Sequence, residues 1–210
     1  MTERAITVIA GLDEIGREDW DACANPQAAT GGRYDPFVSH DFLSALERSG
    51  CVAGEHGWLP QHLVLDGPDG RPAAVAPLYL KGHSYGEYVF DHAWADAWQR
   101  AGGRYYPKLQ MSVPFTPVTG GRLLVRPNPG AAEDRRLLAA AAVELCRRLG
   151  ASSVHATFLL PEDAETFAEA GWLARTDRQF HFVNAGYKSY DDFLATLASR
   201  KRKAVRKERA

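Results

Sequence analysis

QHLVLDGPDGRPAAVAPLYL, residues 61–80, decides the fold class. Two largely apolar runs, QHLVLD (61–66) and RPAAVAPLYL (71–80), flank GPDG (67–70), and that spacing with that turn chemistry predicts a β-hairpin. Pro77 cannot donate to a ladder, so it marks a bulge or an edge position. Upstream, AITVIA (5–10) is a short strand, a helical turn covers 17–24, and NPQAATGGRYDP (25–36) is a loop. Ser39 is an N-cap for the next helix, with Val38 and Leu43 as a hydrophobic staple and Gly50 as the stop. Downstream, KLQMSV (108–113) alternates like a strand, PFTPVTGG (114–121) is a loop, and RLLV (122–125) is extended. The clearest helix is AAEDRRLLAAAAVELCRRLG (131–150), with acids in its first turn and arginines in its last. Leu138, Leu145 and Leu149 are its sheet-facing residues. SSVHATFLL (152–160) is a buried strand, PEDAETFAEAG (161–171) a short helix, and DRQFHFVNAG (177–186) a further alternating strand. Ser189 with Asp192 opens YDDFLATLA as a capping box. Together these elements predict an α/β (α+β) fold, a mixed and mostly antiparallel sheet flanked by helices.

A chain of 210 residues with 45% hydrophobic content can bury a sizeable core. Its net charge of −1 hides an asymmetry: residues 199–210, SRKRKAVRKERA, carry +6 against −7 on the rest. The N-terminus has charges at once and too short an apolar run for a leader or a span, which predicts a cytoplasmic protein. Cys23, Cys51 and Cys146 are scattered and form no CxxC, so they are expected as inert thiols. There is no GxG, HExxH or GxSxG, which removes dinucleotide, P-loop, zincin and α/β-hydrolase chemistry.

HSYGEYVFDHAWADAW (83–98) mixes large rings with acids and histidines in a way that a plain core does not tolerate. A helix starting near Asp91 puts Trp94, Trp98 and Ala101 on one face, turned to the core, and His92 with Asp96 on another. His83, Glu87, Asp91, His92 and Asp96 fit no standard zinc spacing, and no metal is expected.

The words in LYLKGHSYGEYVFDHAWADAWQRAGGRYYPKLQMSVPFTPVTGGRLLV (78–125) and QFHFVNAGYKSYDDFLATLASRKRKAVRKER (179–209) carry a resemblance. The chain resembles the bacterial FemAB-like family of peptidoglycan biosynthesis or recognition proteins, whose members are acetyltransferase-like. The resemblance implies a GNAT-like acyltransferase lobe over residues 1–198, with 199–210 a basic helix leading into a second lobe that this chain lacks. It also implies acyl or aminoacyl transfer to an amine of a peptidoglycan-type precursor. A CoA-dependent small-molecule N-acyltransferase and a non-catalytic lobe binding peptidoglycan-like ligands are the alternatives. The acetyl-CoA signature Q/R-x-x-G-x-G/A is missing, since its near misses at Arg100 and Arg147 lack the final glycine or alanine. The acyl donor is therefore open between aminoacyl-tRNA and acyl-CoA.

Transfer to an amine needs a proton acceptor, donors for the oxyanion and an oriented carrier. Asp91 or Glu87 is expected to position or deprotonate the amine, His92 to relay its proton, and Tyr85, Tyr88, Tyr105 or Tyr106 to donate to the oxyanion. Phe115 and Thr116 in the 114–121 loop are expected to shape a substrate channel. Lys108 is read either as a phosphate or carboxylate contact or, more plainly, as an exposed lysine at a strand start. Arg200, Arg202 and Arg206 in the basic tail are expected to meet an anionic substrate such as tRNA. Val205 is the tail's single large apolar residue, so by itself the helix has little to bury.

Overall fold

A computed structural model describes residues 4–209 of the chain. These divide into two compact units, one ending at Ala174 and one beginning at Arg175.

The first unit is built on two four-stranded sheets. One holds β1 (Ile6–Ile9), β3 (His62–Asp66), β4 (Pro72–Ala76) and β7 (Leu124–Val125), in the order β1-β3-β4-β7 and antiparallel throughout. The other holds β2 (Trp58–Pro60), β5 (Tyr79–Lys81), β6 (Lys108–Met111) and β8 (Val154–Ala156). Its β2–β5 and β5–β6 pairs are antiparallel and its β6–β8 pair is parallel. The predicted hairpin links the two sheets. β3 and β4 pair with Leu63 opposite Ala76, and Gly70 closes the turn at a φ of +75°, which glycine adopts without strain. Pro77 stands between β4 and β5, where the ladder passes from one sheet to the other. There the Leu78 N–H donates to His62 Nδ1 at 3.1 Å and the Gln61 N–H to the Leu78 carbonyl at 2.8 Å. His62 Nδ1 is thus an acceptor, so Nε2 carries the proton and donates to Glu47 Oε1 at 2.8 Å.

Alternation places the core on both faces of the first sheet. Leu63, Leu65, Ala74 and Ala76 meet α4 (Ala131–Arg148) through Leu138, Ala139, Ala142 and Cys146. Val64 and Val75 meet Trp20 and Cys23 of α1 (Arg17–Ala24) and Leu43 of α2 (His40–Arg48). Leu149, expected on the sheet, is 40% exposed, because it is the C-cap residue and lies past the last packed turn. The Ser39 cap forms as expected, its hydroxyl accepting from the Phe42 N–H at 3.3 Å, and Gly50 follows with φ +77°. Replacing Ser39 by alanine should cost about 1 kcal/mol, read as a lower denaturant midpoint at unchanged slope. Beyond β8, α5 (Pro161–Glu169) opens on its proline and ends before Gly171, as expected.

In the second unit the strand expected over 177–186 is absent among the described residues. Neither sheet includes the segment, and alternation alone makes no ladder. Its Phe182 instead joins Tyr187 and Phe193, with ring centroids 6.2 and 5.5 Å away. The capping box at α6 (Tyr190–Ala195) is present, with the Asp192 N–H donating to Ser189 Oγ at 3.1 Å. α7 (Ser199–Arg209) buries no residue and is held to α6 by polar contacts. Arg202 donates to the carbonyls of Ala195 and Leu197, each at 3.0 Å, and Arg209 lies over the Tyr190 ring. Arg206 lies 3.4 Å from the Asp191 carboxylate. Two of the three arginines expected on a polyanion are therefore already engaged within the unit.

Candidate functional site

The second sheet carries an unusual row of side chains. In register across β2, β5 and β6 stand Trp58, Lys81 and Lys108, all essentially without solvent exposure. A buried lysine needs a partner or it loses its charge. The segment 82–91, which joins β5 to α3 (His92–Arg100), supplies the partners for Lys108. Lys108 Nζ donates to Glu87 Oε2 at 2.8 Å and to Asp91 Oδ2 at 2.7 Å. The reading of Lys108 as an exposed strand-start lysine is thereby corrected. It is 1% exposed because the two acids come down over it.

Asp91 Oδ2 also accepts from Ser84 Oγ at 2.9 Å and from the Tyr105 hydroxyl at 2.8 Å, and Ser84 Oγ lies 2.8 Å from the Tyr106 hydroxyl. Tyr105 and Tyr106 are therefore committed to the network and do not point to an open oxyanion position. Among the described residues, each carboxylate leaves one buried oxygen without a partner, Glu87 Oε1 and Asp91 Oδ1. Buried acceptors in this condition are rare and ask for a donor.

The two acids titrate in opposite directions. Burial raises the Glu87 pKa, and the Lys108 charge only partly offsets it. Burial acts upward on Asp91 too, but there the Lys108 hydrogen bond and charge, with Ser84 and Tyr105, outweigh it and hold the group low. Asp91 thus stays an anion, while Glu87 is the carboxylate able to exchange a proton nearer neutrality. Tyr105 keeps its proton, its pKa raised by burial and by the bond it donates to Asp91.

Around this network the backbone is constrained. Tyr88 and Phe115 take left-handed φ values of +56° and +57°, which cost of order 1–3 kcal/mol each in a non-glycine residue. The Phe115 N–H donates to the Gly86 carbonyl at 3.0 Å, and a Cβ on Gly86 would stand 2.6 Å from the Phe115 ring. Only glycine fits there, and Phe115 in turn packs against Trp58 at 5.4 Å. Thr116 bonds its own loop, donating to the Pro114 carbonyl at 3.1 Å.

Other expected site residues fall outside the network. Tyr85, Tyr88 and His92 are exposed, with the His92 ring 6.2 Å from that of Tyr85. Asp91 and His92 are successive residues at the start of α3, so their side chains leave in different directions. His92 faces outward and is not positioned to relay a proton for Asp91. Trp94 and Trp98, expected in the core, are 66% and 56% exposed, because α3 packs down through Asp91 and the small Ala95 and turns the adjacent positions out. Among the described residues, no three His, Cys, Asp or Glu side chains converge as a metal-ligand set.

Lys81 was missed in the sequence. Its Nζ lies 3.3 Å from the Trp58 ring centroid and 3.3 Å from the Tyr85 carbonyl, with no carboxylate in contact among the described residues. A lysine alternating with apolar residues in a strand gives no local sign of such burial. Two cavities lie apart from this network in the first unit. One, of about 170 Å³, is lined by Asn25, Asp35, Gly121 and Arg135, and another, of about 480 Å³, by Gly11, His40, Glu47 and Arg48.

The architecture and site define a mixed α/β protein whose second sheet carries a buried ionic network, its two acids supplied by the 82–91 segment. The FemAB-like family, described as peptidoglycan biosynthesis/recognition, matches residues 11–210, and the chain belongs to that family. Comparison with curated proteins gives no match. Among solved structures, the chain is similar to an acetyltransferase of Trypanosoma brucei at TM-score 0.44 and 16% identity, over 86% of this chain and 99% of that one. It is similar to the aminoglycoside antibiotic 6'-N-acetyltransferase of Acinetobacter baumannii at TM-score 0.46 and 12% identity, over 87% and 98%. It is also similar to glucosamine-6-phosphate N-acetyltransferase of Arabidopsis thaliana at TM-score 0.46 and 8% identity, over 87% and 99%.

Proposed function

We propose that the chain transfers an acyl or aminoacyl group to an amine of a peptidoglycan-type precursor in the cytoplasm. The observation that carries this reading is the pair of oxygens without a partner among the described residues, Glu87 Oε1 and Asp91 Oδ1, in a network whose cation, Lys108, bonds their sister oxygens. An entering ammonium supplies the missing donors, so the network is complementary to an amine and not to a second anion. Asp91 holds charge and orients the amine, and Glu87 takes its proton. Lys108 fixes the spacing of the two acids, while Ser84, Tyr105 and Tyr106 lock Asp91. Tyr88, Phe115 and Thr116 flank the approach. Membership in a family described as peptidoglycan biosynthesis/recognition supports the acceptor class.

The donor on this reading is aminoacyl-tRNA or acyl-CoA. For a tRNA, Arg200 of α7 is the arginine left to meet phosphate without first breaking contacts within the unit. No helix among the described residues is long and apolar enough to cross a membrane.

A specific observation also favours a second reading, ligand binding without transfer. Tyr85, Tyr88, Phe90, Trp94 and Trp98 all expose their rings, a density of exposed aromatic surface that marks binding sites. One experiment separates the two. The full chain is incubated with a muropeptide bearing a free amine and, in separate reactions, with acetyl-CoA and with aminoacyl-tRNA, and the products are analysed by mass spectrometry. An amide product with either donor supports transfer. Saturable muropeptide binding with the amine recovered unmodified under both donors overturns transfer and supports the binding lobe.

A further inference from the structure

We infer that Gln110 and Ser112 form a second subsite beside Glu87 and Asp91, taking the peptide group of an acceptor whose amine ends an extended peptide. The inference rests on the proposed transfer to an amine and names the chemistry next to that amine.

β6 and the two residues after it alternate without a break. Leu109, Met111 and Val113 enter the apolar core, and Lys108, Gln110 and Ser112 take the other side. A strand of this pattern normally gives its polar side to water. Here that side is closed, with Lys108, Gln110 and Ser112 only 1%, 0% and 2% exposed. Polar neighbours extend the row across the sheet. Gln110 stands in register with Tyr79 of β5 and His155 of β8, and its Nε2 donates to Thr157 Oγ1 at 3.1 Å. The Thr157 carbonyl accepts from Arg122 Nε at 3.1 Å, and the Thr157 N–H donates to the Met111 carbonyl at 3.1 Å.

The same row gathers unsatisfied groups. Gln110 Oε1 and Ser112 Oγ are buried without a hydrogen-bond partner among the described residues, as are Glu87 Oε1 and Asp91 Oδ1 of the acids that bond Lys108. Native proteins bury few such atoms, so their concentration along one strand face calls for a common polar ligand. Same-face positions of a strand follow one another at about 6.7 Å, so the row runs from the acids at Lys108 past Gln110 to Ser112, roughly 13 Å in all. An extended peptide laid along β6 has the same repeat. With its ammonium between the two acids, its first peptide group comes level with Gln110 and Ser112. The peptide N–H is the donor that Gln110 Oε1 lacks, and the peptide carbonyl accepts from the Ser112 hydroxyl. A compact amino sugar, whose hydroxyls adjoin its amine, is too short for the row and leaves Ser112 unpaired. A simple alkylamine satisfies neither group, and each buried hydrogen bond left unmade weakens binding.

Calorimetric titration of the full chain with three ligands tests the subsite. They are glycylglycine N-methylamide, its depsipeptide with an ester oxygen in place of the first peptide N–H, and the N-acetylated peptide. The depsipeptide keeps the amine, the carbonyl and the extended shape, and lacks the donor for Gln110 Oε1. It should bind roughly tenfold more weakly than the peptide. Gln110→Met, similar in length, should bind the two equally, whereas Ser112→Ala should weaken both and keep the preference. Melting temperatures establish that each variant is folded. Equal binding of peptide and depsipeptide by the wild-type chain overturns the inference, and so does a preference that survives in folded Gln110→Met. If the wild-type chain binds the N-acetylated peptide as tightly as the free amine, the ammonium reading fails instead. Binding of neither the peptide nor the depsipeptide overturns both.

Discussion

Lys108→Met should destabilise the first unit by about 3–5 kcal/mol, the usual consequence of removing one member of a buried ionic group. The substitution keeps an unbranched side chain of similar length, so packing changes little. It leaves Glu87 and Asp91, both 3% exposed, as adjacent carboxylates without a cation. For a chain of this size the melting temperature should fall by roughly 10 °C. A triple variant that adds Glu87→Gln and Asp91→Asn should recover most of the loss, because the uncompensated charges are then gone. A single variant melting within about 2 °C of the wild type would show that Lys108 is not held as the geometry describes.

Glu87→Gln should do the opposite, sparing stability and removing turnover. Glutamine keeps the shape and still accepts from Lys108, and Asp91 continues to pair with that lysine at 2.7 Å. Burial already disfavours the ionised form of Glu87, so a neutral amide is tolerated there. The amide oxygen cannot take a proton, however, and loss of a positioned base lowers the rate by roughly 10²–10⁴-fold. Single-turnover transfer to the amine, with the melting temperature as a control for folding, measures the effect. Transfer at the wild-type rate would reassign Glu87 to structure.

Local chemistry made much of the fold legible. The hairpin turn, the Ser39 cap, the proline at the start of α5 and the acid-to-base polarity of α4 are effects of a few neighbouring residues, and each is read from them directly. Pro77 marked a break in the ladder but not that the chain changes sheets there, since that depends on which strands meet. The strand expected at 177–186 went wrong for the same reason: its alternation is real, yet a strand exists only with a partner.

The site was half legible. The concentration of acids and rings in 83–98 pointed to Glu87 and Asp91, and both are in the network. Helical spacing placed Trp94 and Trp98 on one face without revealing whether that face is inner or outer. The small residues Asp91 and Ala95 decide that, because they let α3 approach closely. The two lysines were the harder case. An exposed lysine and a buried one look alike in sequence, and only the register of β2, β5 and β6 brings Trp58, Lys81 and Lys108 into line.

The central claim is that the unpartnered oxygens of Glu87 and Asp91 receive an ammonium. Calorimetric titration of the full chain with an amine-bearing muropeptide, against the same muropeptide N-acetylated, tests it most directly. The free amine should bind saturably, the acetylated form should bind at least roughly tenfold more weakly, and a folded Glu87→Gln/Asp91→Asn variant should lose the discrimination. Equal binding of the two forms by the wild-type chain would contradict the claim.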